Sequence, residues 1–165
     1  MDPRESARSR FKRQVTGLWT FRLFLLSQLP IALITGIRIR ALDDKSCTVS
    51  VPFKWLSQNP FRSVYFASQS MAAEMSTGVL SMMAIQGFEP PVSMLVTKVH
   101  AVFTKKAAAR VFFTCNDGEA IRKAVDQTMA SGEGVTIVCS SIGKLKDGTI
   151  VSSFEVEWSF KARSK

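Results

Sequence analysis

The chain has 165 residues, 46% hydrophobic and 21% charged, a balance that suits one domain with a real core and excludes disorder along its whole length. Its 22 Lys and Arg outnumber 13 Asp and Glu, for a net charge of +9. The excess is terminal: Arg4, Arg8, Arg10, Lys12 and Arg13 face only Asp2 and Glu5, and Lys161, Arg163 and Lys165 crowd the other end, so the nearly balanced body argues against a nucleic-acid-binding function.

The run Leu18 to Ile37 has the length of a membrane span, but Arg22, Gln28 and Pro30 interrupt it. Phe11, Val15, Leu18, Trp19, Arg22, Leu25, Leu26 and Leu29 recur at three- and four-residue steps, which predicts a helix docked on the domain and ended or kinked at Pro30. An interfacial helix is the alternative, with peripheral membrane contact through residues 4–29. The expected organisation is a basic tail and amphipathic helix over 1–30 and a single domain over 31–165.

Ile37 to Leu42 and Cys47 to Phe53 alternate around Asp43-Asp44-Lys45 and read as a hairpin. Trp55 to Arg62, with Asn59-Pro60, reads as a loop, and Tyr65 to Ile85 as a long helix stopped by Gly87 to Pro91. Strands follow at Val92 to Thr104 and Arg110 to Cys115, then a short helix opened by Asn116-Asp117-Gly118. Val135 to Leu145 and Ile150 to Phe160 close the chain as strands joined through Lys146-Asp147-Gly148, whose Asp-Gly fits a tight turn. Cys47, Cys115 and Cys139 lack a CxxC pair and sit in apolar runs, as small core residues of a reducing, cytoplasmic location do. His100 is the lone histidine, so no metal site is expected.

The long helix carries the chemistry. At 100° per residue, Ala67, Ser70, Glu74, Thr77, Gly78 and Ser81 fall within about 60° of one line, and every member except Glu74 is small. Met71, Met75, Val79, Leu80, Met82 and Met83 fill the other sides, so the helix should be enclosed and Glu74 desolvated. Such a carboxylate is suited to general-base work. The competing reading is structural: the small residues admit a close strand, and Glu74 pairs with a cation or a backbone amide.

Two strands, a loop with Asn59, a central helix with Glu74 and four more strands is an order that resembles the hot-dog fold, an α+β fold whose antiparallel sheet wraps a long central helix, here with an extra N-terminal helix. Within it the chain looks like an uncharacterised bacterial thioesterase-like branch related to phenylacetate-type acyl-CoA thioesterases. The resemblance implies a catalytic pair of Asn59 and Glu74, fifteen positions apart, assisted by Ser93 of Pro-Pro-Val-Ser. It implies an oxyanion donor from the Phe66 or Ala67 amide, substrate contacts from Tyr65, Ser70 and Gly78, and no metal or cofactor. It also implies an acyl-CoA or other acyl thioester as substrate and a homodimer or dimer of dimers that completes the site. Lys98, Lys105, Lys106 and Arg110 are candidates for CoA phosphates, or simply a solvated sheet edge and turn. Where many relatives read His-Gly-Gly at the helix start, this chain reads Tyr65-Phe66-Ala67, the feature that favours an acyl-binding protein without turnover as the alternative.

Overall fold

A computed structural model describes residues 3–163; Asp2 and Lys165, counted in the terminal charge, lie outside them. Three helices come first: α1 (Pro3–Thr16), α2 (Leu18–Gln28) and α3 (Pro30–Thr35). The basic segment is thus a docked helix and not a free tail. Arg8 pairs with Asp44 at 2.8 Å and the Arg4 guanidinium lies 5.1 Å from the Phe88 ring centre. The helical path breaks at Gly17, the extended residue before α2, and Pro30 opens α3 in the first turn, where its missing N–H costs nothing. No described helix is long and apolar enough to cross a membrane.

The hairpin β1 (Arg38–Leu42) and β2 (Cys47–Val51) leads through a short 3-10 turn at Trp55–Ser57 into α4 (Phe66–Ala84). Then come β3 (Val92–Phe103), β4 (Val111–Cys115), α5 (Gly118–Ser131), β5 (Val135–Lys144) and β6 (Ile150–Ala162). One six-stranded antiparallel sheet results, in the order β1-β2-β4-β5-β6-β3. Alternation along β6 sends Phe154, Val156, Trp158 and Phe160 inward, where they meet Val49, Val51, Val111 and Phe113 from the neighbouring strands. The three cysteines are free and buried among them.

The sheet-facing side of α4 is neither charged nor purely aliphatic. Buried Ser76, Gln69 and Thr77 meet Ser141, Ser152 and Trp158 in hydrogen bonds of 2.8, 2.9 and 2.9 Å. Gln69 Nε2 also donates to the Val64 carbonyl at 3.0 Å. These contacts satisfy buried polar groups and fix the rotation of α4, because Ser141, Ser152 and Trp158 stand at set places on β5 and β6 that only one helix register reaches.

Candidate active site

The fixed rotation of α4 sets Glu74 at the wall of a pocket of about 80 Å³, between the N-terminal helices and the sheet, with Phe11, Phe24, Met75, Met82, Met94 and Trp158. That volume is the share of two or three water molecules. Burial in these surroundings pushes the Glu74 carboxyl above its ordinary value of 4.5, with no second cause acting on it. Among the described residues the carboxylate has no hydrogen-bond or ion-pair partner. Of the two readings of the helix stripe, the pairing of Glu74 with a cation or amide is therefore absent among the described residues. The close approach of a strand is present, at Gly78, where an added Cβ would lie 3.1 Å from Glu74 Oε1 and 3.2 Å from Trp158 Cζ2.

This geometry makes Gly78 a sensitive position. The Trp158 ring is pinned by its bond to Thr77, so a new methyl displaces Glu74, the unpinned neighbour. Gly78→Ala gains about 1 kcal/mol of helix propensity and loses a similar amount or more to overpacking. The expected result is a melting temperature close to wild type and, for any reaction that Glu74 serves, a rate reduced roughly tenfold, a ratio set by about 1.4 kcal/mol of misplacement, measured by thermal denaturation and steady-state kinetics on one preparation.

Asn59 sits in the loop ahead of α4, half-buried, and its Oδ1 accepts from the Phe61 amide, the Ser63 amide and Ser63 Oγ, each at 3.1 Å. The oxygen is fully used by its own loop, which leaves the Nδ2 protons as the donors it can offer outward. Within the same turn Arg62 takes a positive φ of 58° and its amide donates to the Asn59 carbonyl at 3.1 Å. A bulky residue in that region is held there by its surroundings, so this loop is a rigid mount. Nothing in the sequence marks Arg62 for that role.

At the start of α4, Gln69 donates to the Tyr65 carbonyl at 3.1 Å as the first helical bond, and no side chain caps the end. The Phe66 and Ala67 amides lie in the first turn, outside that ladder. The Phe66 ring is 55% exposed and packs edge-on against Tyr65 and Phe103, with ring centres 4.8 and 6.5 Å apart. Ser70 Oγ donates to the Phe66 carbonyl at 2.9 Å. Ser93 does not join Glu74. Its Oγ donates to the Lys161 carbonyl at 3.0 Å, and the neighbouring Met94 is the residue of β3 that reaches the Glu74 pocket, so alternation puts Ser93 on the other face.

The sequence did not announce that α1 and α2 supply the roof of the Glu74 pocket through Phe11, Val15, Phe21 and Phe24. Their helical spacing signals a buried face but not the surface it covers. A larger cleft of about 440 Å³ lies apart from this site, between α1, the end of α4 and α5. Its wall mixes Arg8, Asp44, Arg122 and Asp126, with Arg8 already paired to Asp44, so its charges largely answer one another.

A six-stranded antiparallel sheet packed on one long central helix, with the site at that helix, defines a hot-dog fold. The chain belongs to the family described as a domain of unknown function, DUF4442, which matches residues 17–160. Among solved structures it is similar to a protein of unknown function from Pseudomonas aeruginosa described as a probable thioesterase, with a TM-score of 0.75 at 14% identity over 91% of this chain and 99% of that one. It is also similar to a mutant thioesterase from the same organism, with a TM-score of 0.67 at 19% identity over 92% and 98% of the two chains. A thioesterase from Haemophilus influenzae gives 0.64 at 12% identity over 88% and 90%. No curated protein matches the chain.

Proposed function

We propose that the protein is a thioester hydrolase acting on an acyl-CoA or another acyl thioester. The observation that carries this reading is Glu74, a half-buried carboxylate without a partner at the wall of an apolar pocket. Such a group is costly to keep unless it is used. In the proposed reaction Glu74 takes a proton from water as the oxygen adds to the thioester carbonyl. The Phe66 or Ala67 amide, at the positive end of α4, receives the developing oxyanion. Collapse breaks the C–S bond, the proton passes from Glu74 to the departing sulfur, and a free acid and a thiol result. The Asn59 Nδ2 donors orient the thioester.

One further feature supports an acyl-CoA substrate, and another a site shared between two copies. The Ala107 carbonyl accepts from the Val64 amide at 2.9 Å, which brings the loop holding Lys105 and Lys106 beside the start of α4, within reach of phosphates outside the site. The edge strand β3 carries exposed Leu95, Val99 and Phe103 and is unpaired on its outer side. A second copy adding β3 to β3 would cover it, giving the homodimer in which Asn59 of one protomer serves Glu74 of the other. Light scattering is expected to give twice the chain mass of 18.3 kDa; a monomer at assay concentration removes the shared site. Kinship with the phenylacetate-type branch is part of the same proposal, resting on the fifteen-residue step from Asn59 to Glu74.

Hydrolysis of an acyl-CoA panel graded by chain length, followed by thiol release, tests the reading. Turnover of at least one member above the uncatalysed rate is expected. Binding without turnover at any length selects instead the acyl-binding alternative, which the exposed Phe66 at the helix start and the fully engaged Asn59 oxygen favour.

A further inference from the structure

The outer side of the N-terminal helices is apolar where a surface helix should be polar. Trp19, Leu23 and Leu26 are exposed along one side of α2, and Ile31 and Ile34 along α3. Trp55 follows in the 3-10 turn that packs beside α3, and the two indoles are 72% and 80% exposed. The inner side of α2 is already committed, through buried Phe21 and Leu25, to the domain. The helix therefore lies flat with an apolar strip outward.

The charges around this strip have one sign. No Asp or Glu occurs from Ser6 to Leu42 or from Lys45 to Ala73. Arg22, Arg38 and Lys54 line one pocket of about 180 Å³ beside the strip, bounded otherwise by apolar, glycine and threonine residues. The Arg22 guanidinium lies 5.9 Å from the Trp19 ring centre, joining cation and aromatic in one unit. Next to this pocket, Arg40 is held below its ordinary value by burial and by the neighbouring Arg110 and Arg38, so the local positive charge goes unanswered.

We infer that α2, α3 and the Trp55 turn form a docking surface for an anionic lipid bilayer, with Arg22, Arg38 and Lys54 receiving headgroup phosphates and the strip entering the acyl boundary. Exposed indoles flanked by cations over an apolar helix face are the chemistry of the membrane interface. A second copy of this chain is the poorer occupant, because a symmetric contact would set the same cations against each other with no acid on either side. The contact also shifts from the segment expected from sequence, since Arg4 and Arg8 of α1 are already engaged with Phe88 and Asp44. The inference stands apart from the hydrolase reading, although α2 also roofs the Glu74 pocket with Phe21 and Phe24.

Sedimentation of the full chain with vesicles decides it. Binding is expected to vesicles of phosphatidylcholine mixed with phosphatidylglycerol, to be much weaker on phosphatidylcholine alone, and to fall as salt rises. Trp19→Ser with Leu23→Ser should weaken it more than tenfold, and Arg22→Gln and Arg38→Gln about fivefold each. All four side chains are exposed, so circular dichroism should match wild type. Failure to sediment with anionic vesicles, or variants that bind like wild type, overturns the inference. So does a loss of oligomer mass in the variants with no change in sedimentation, which would assign the face to a second copy.

Discussion

Glu74→Gln is expected to lower kcat/KM by about 10² to 10⁴, the usual contribution of a positioned general base, and at the same time to raise the melting temperature at neutral pH. The two effects share one cause. Burial raises the Glu74 carboxyl above 4.5, so the folded chain holds that proton more tightly than the unfolded chain does. The stability this contributes is complete below the unfolded value and is lost as pH rises through the folded one, because deprotonation then leaves a charge without a partner in an apolar pocket. Glutamine is uncharged at every pH and should flatten this dependence. Activity runs the opposite way, since only the deprotonated carboxylate can take a proton from water, and the wild-type rate should climb through the interval in which stability declines. Kinetics and thermal denaturation over a common pH series measure both. A Glu74→Gln variant that melts lower than wild type and keeps its activity would identify Glu74 as a structural residue and remove the hydrolase reading.

Much of this site could be read before the fold. The absence of proline and of strand alternation from Tyr65 to Ile85 marked α4, which spans Phe66–Ala84, and the small-residue stripe marked the side on which Glu74 lies. Both follow from helical periodicity, which local sequence encodes directly. The spacing of Phe11 and Val15 marked α1 as part of a docked helix, but its basic residues look solvated until Asp44 and Phe88 arrive from later in the chain. The break expected at Pro30 is present, since α2 ends at Gln28; the sequence did not show that Pro30 also opens a further helix, α3, at its first position. Ser93 was carried by its place in the chain. A strand reverses faces at every residue, so a one-residue difference in register separates Met94, which reaches the pocket, from Ser93, which does not. The step from Asn59 to Glu74 states a separation along the chain, and no bond joins the two side chains within one protomer.

Phe154→Ala is expected to cost about 3 to 5 kcal/mol, the range for emptying a buried aromatic position, and at roughly 2 to 4 °C per kcal/mol for a chain of this size to lower the melting temperature by about 6 to 20 °C. Phe154 is 2% exposed and its ring is edge-on to both Phe103 and Phe113, with centres 5.6 Å apart in each case. It opposes Ala101 on β3 and Ser141 on β5, so one side chain joins the edge strand to the middle of the sheet. The surroundings cannot collapse into the gap easily. Phe113 is itself wedged against Gly143, where a Cβ would lie 2.6 Å from its ring, and Phe103 reaches outward to Phe66 at the start of α4. Loss of Phe154 therefore loosens Phe103 and, through it, the first turn of α4 where the proposed oxyanion amides sit. Phe66→Ala is the control: its ring is 55% exposed, and its removal should cost only about 1 kcal/mol of aromatic edge contact. If Phe154→Ala melts within two or three degrees of Phe66→Ala, the aromatic chain does not connect the sheet core to the helix start, and the site's rigidity must come from the polar contacts of Gln69, Ser76 and Thr77 alone.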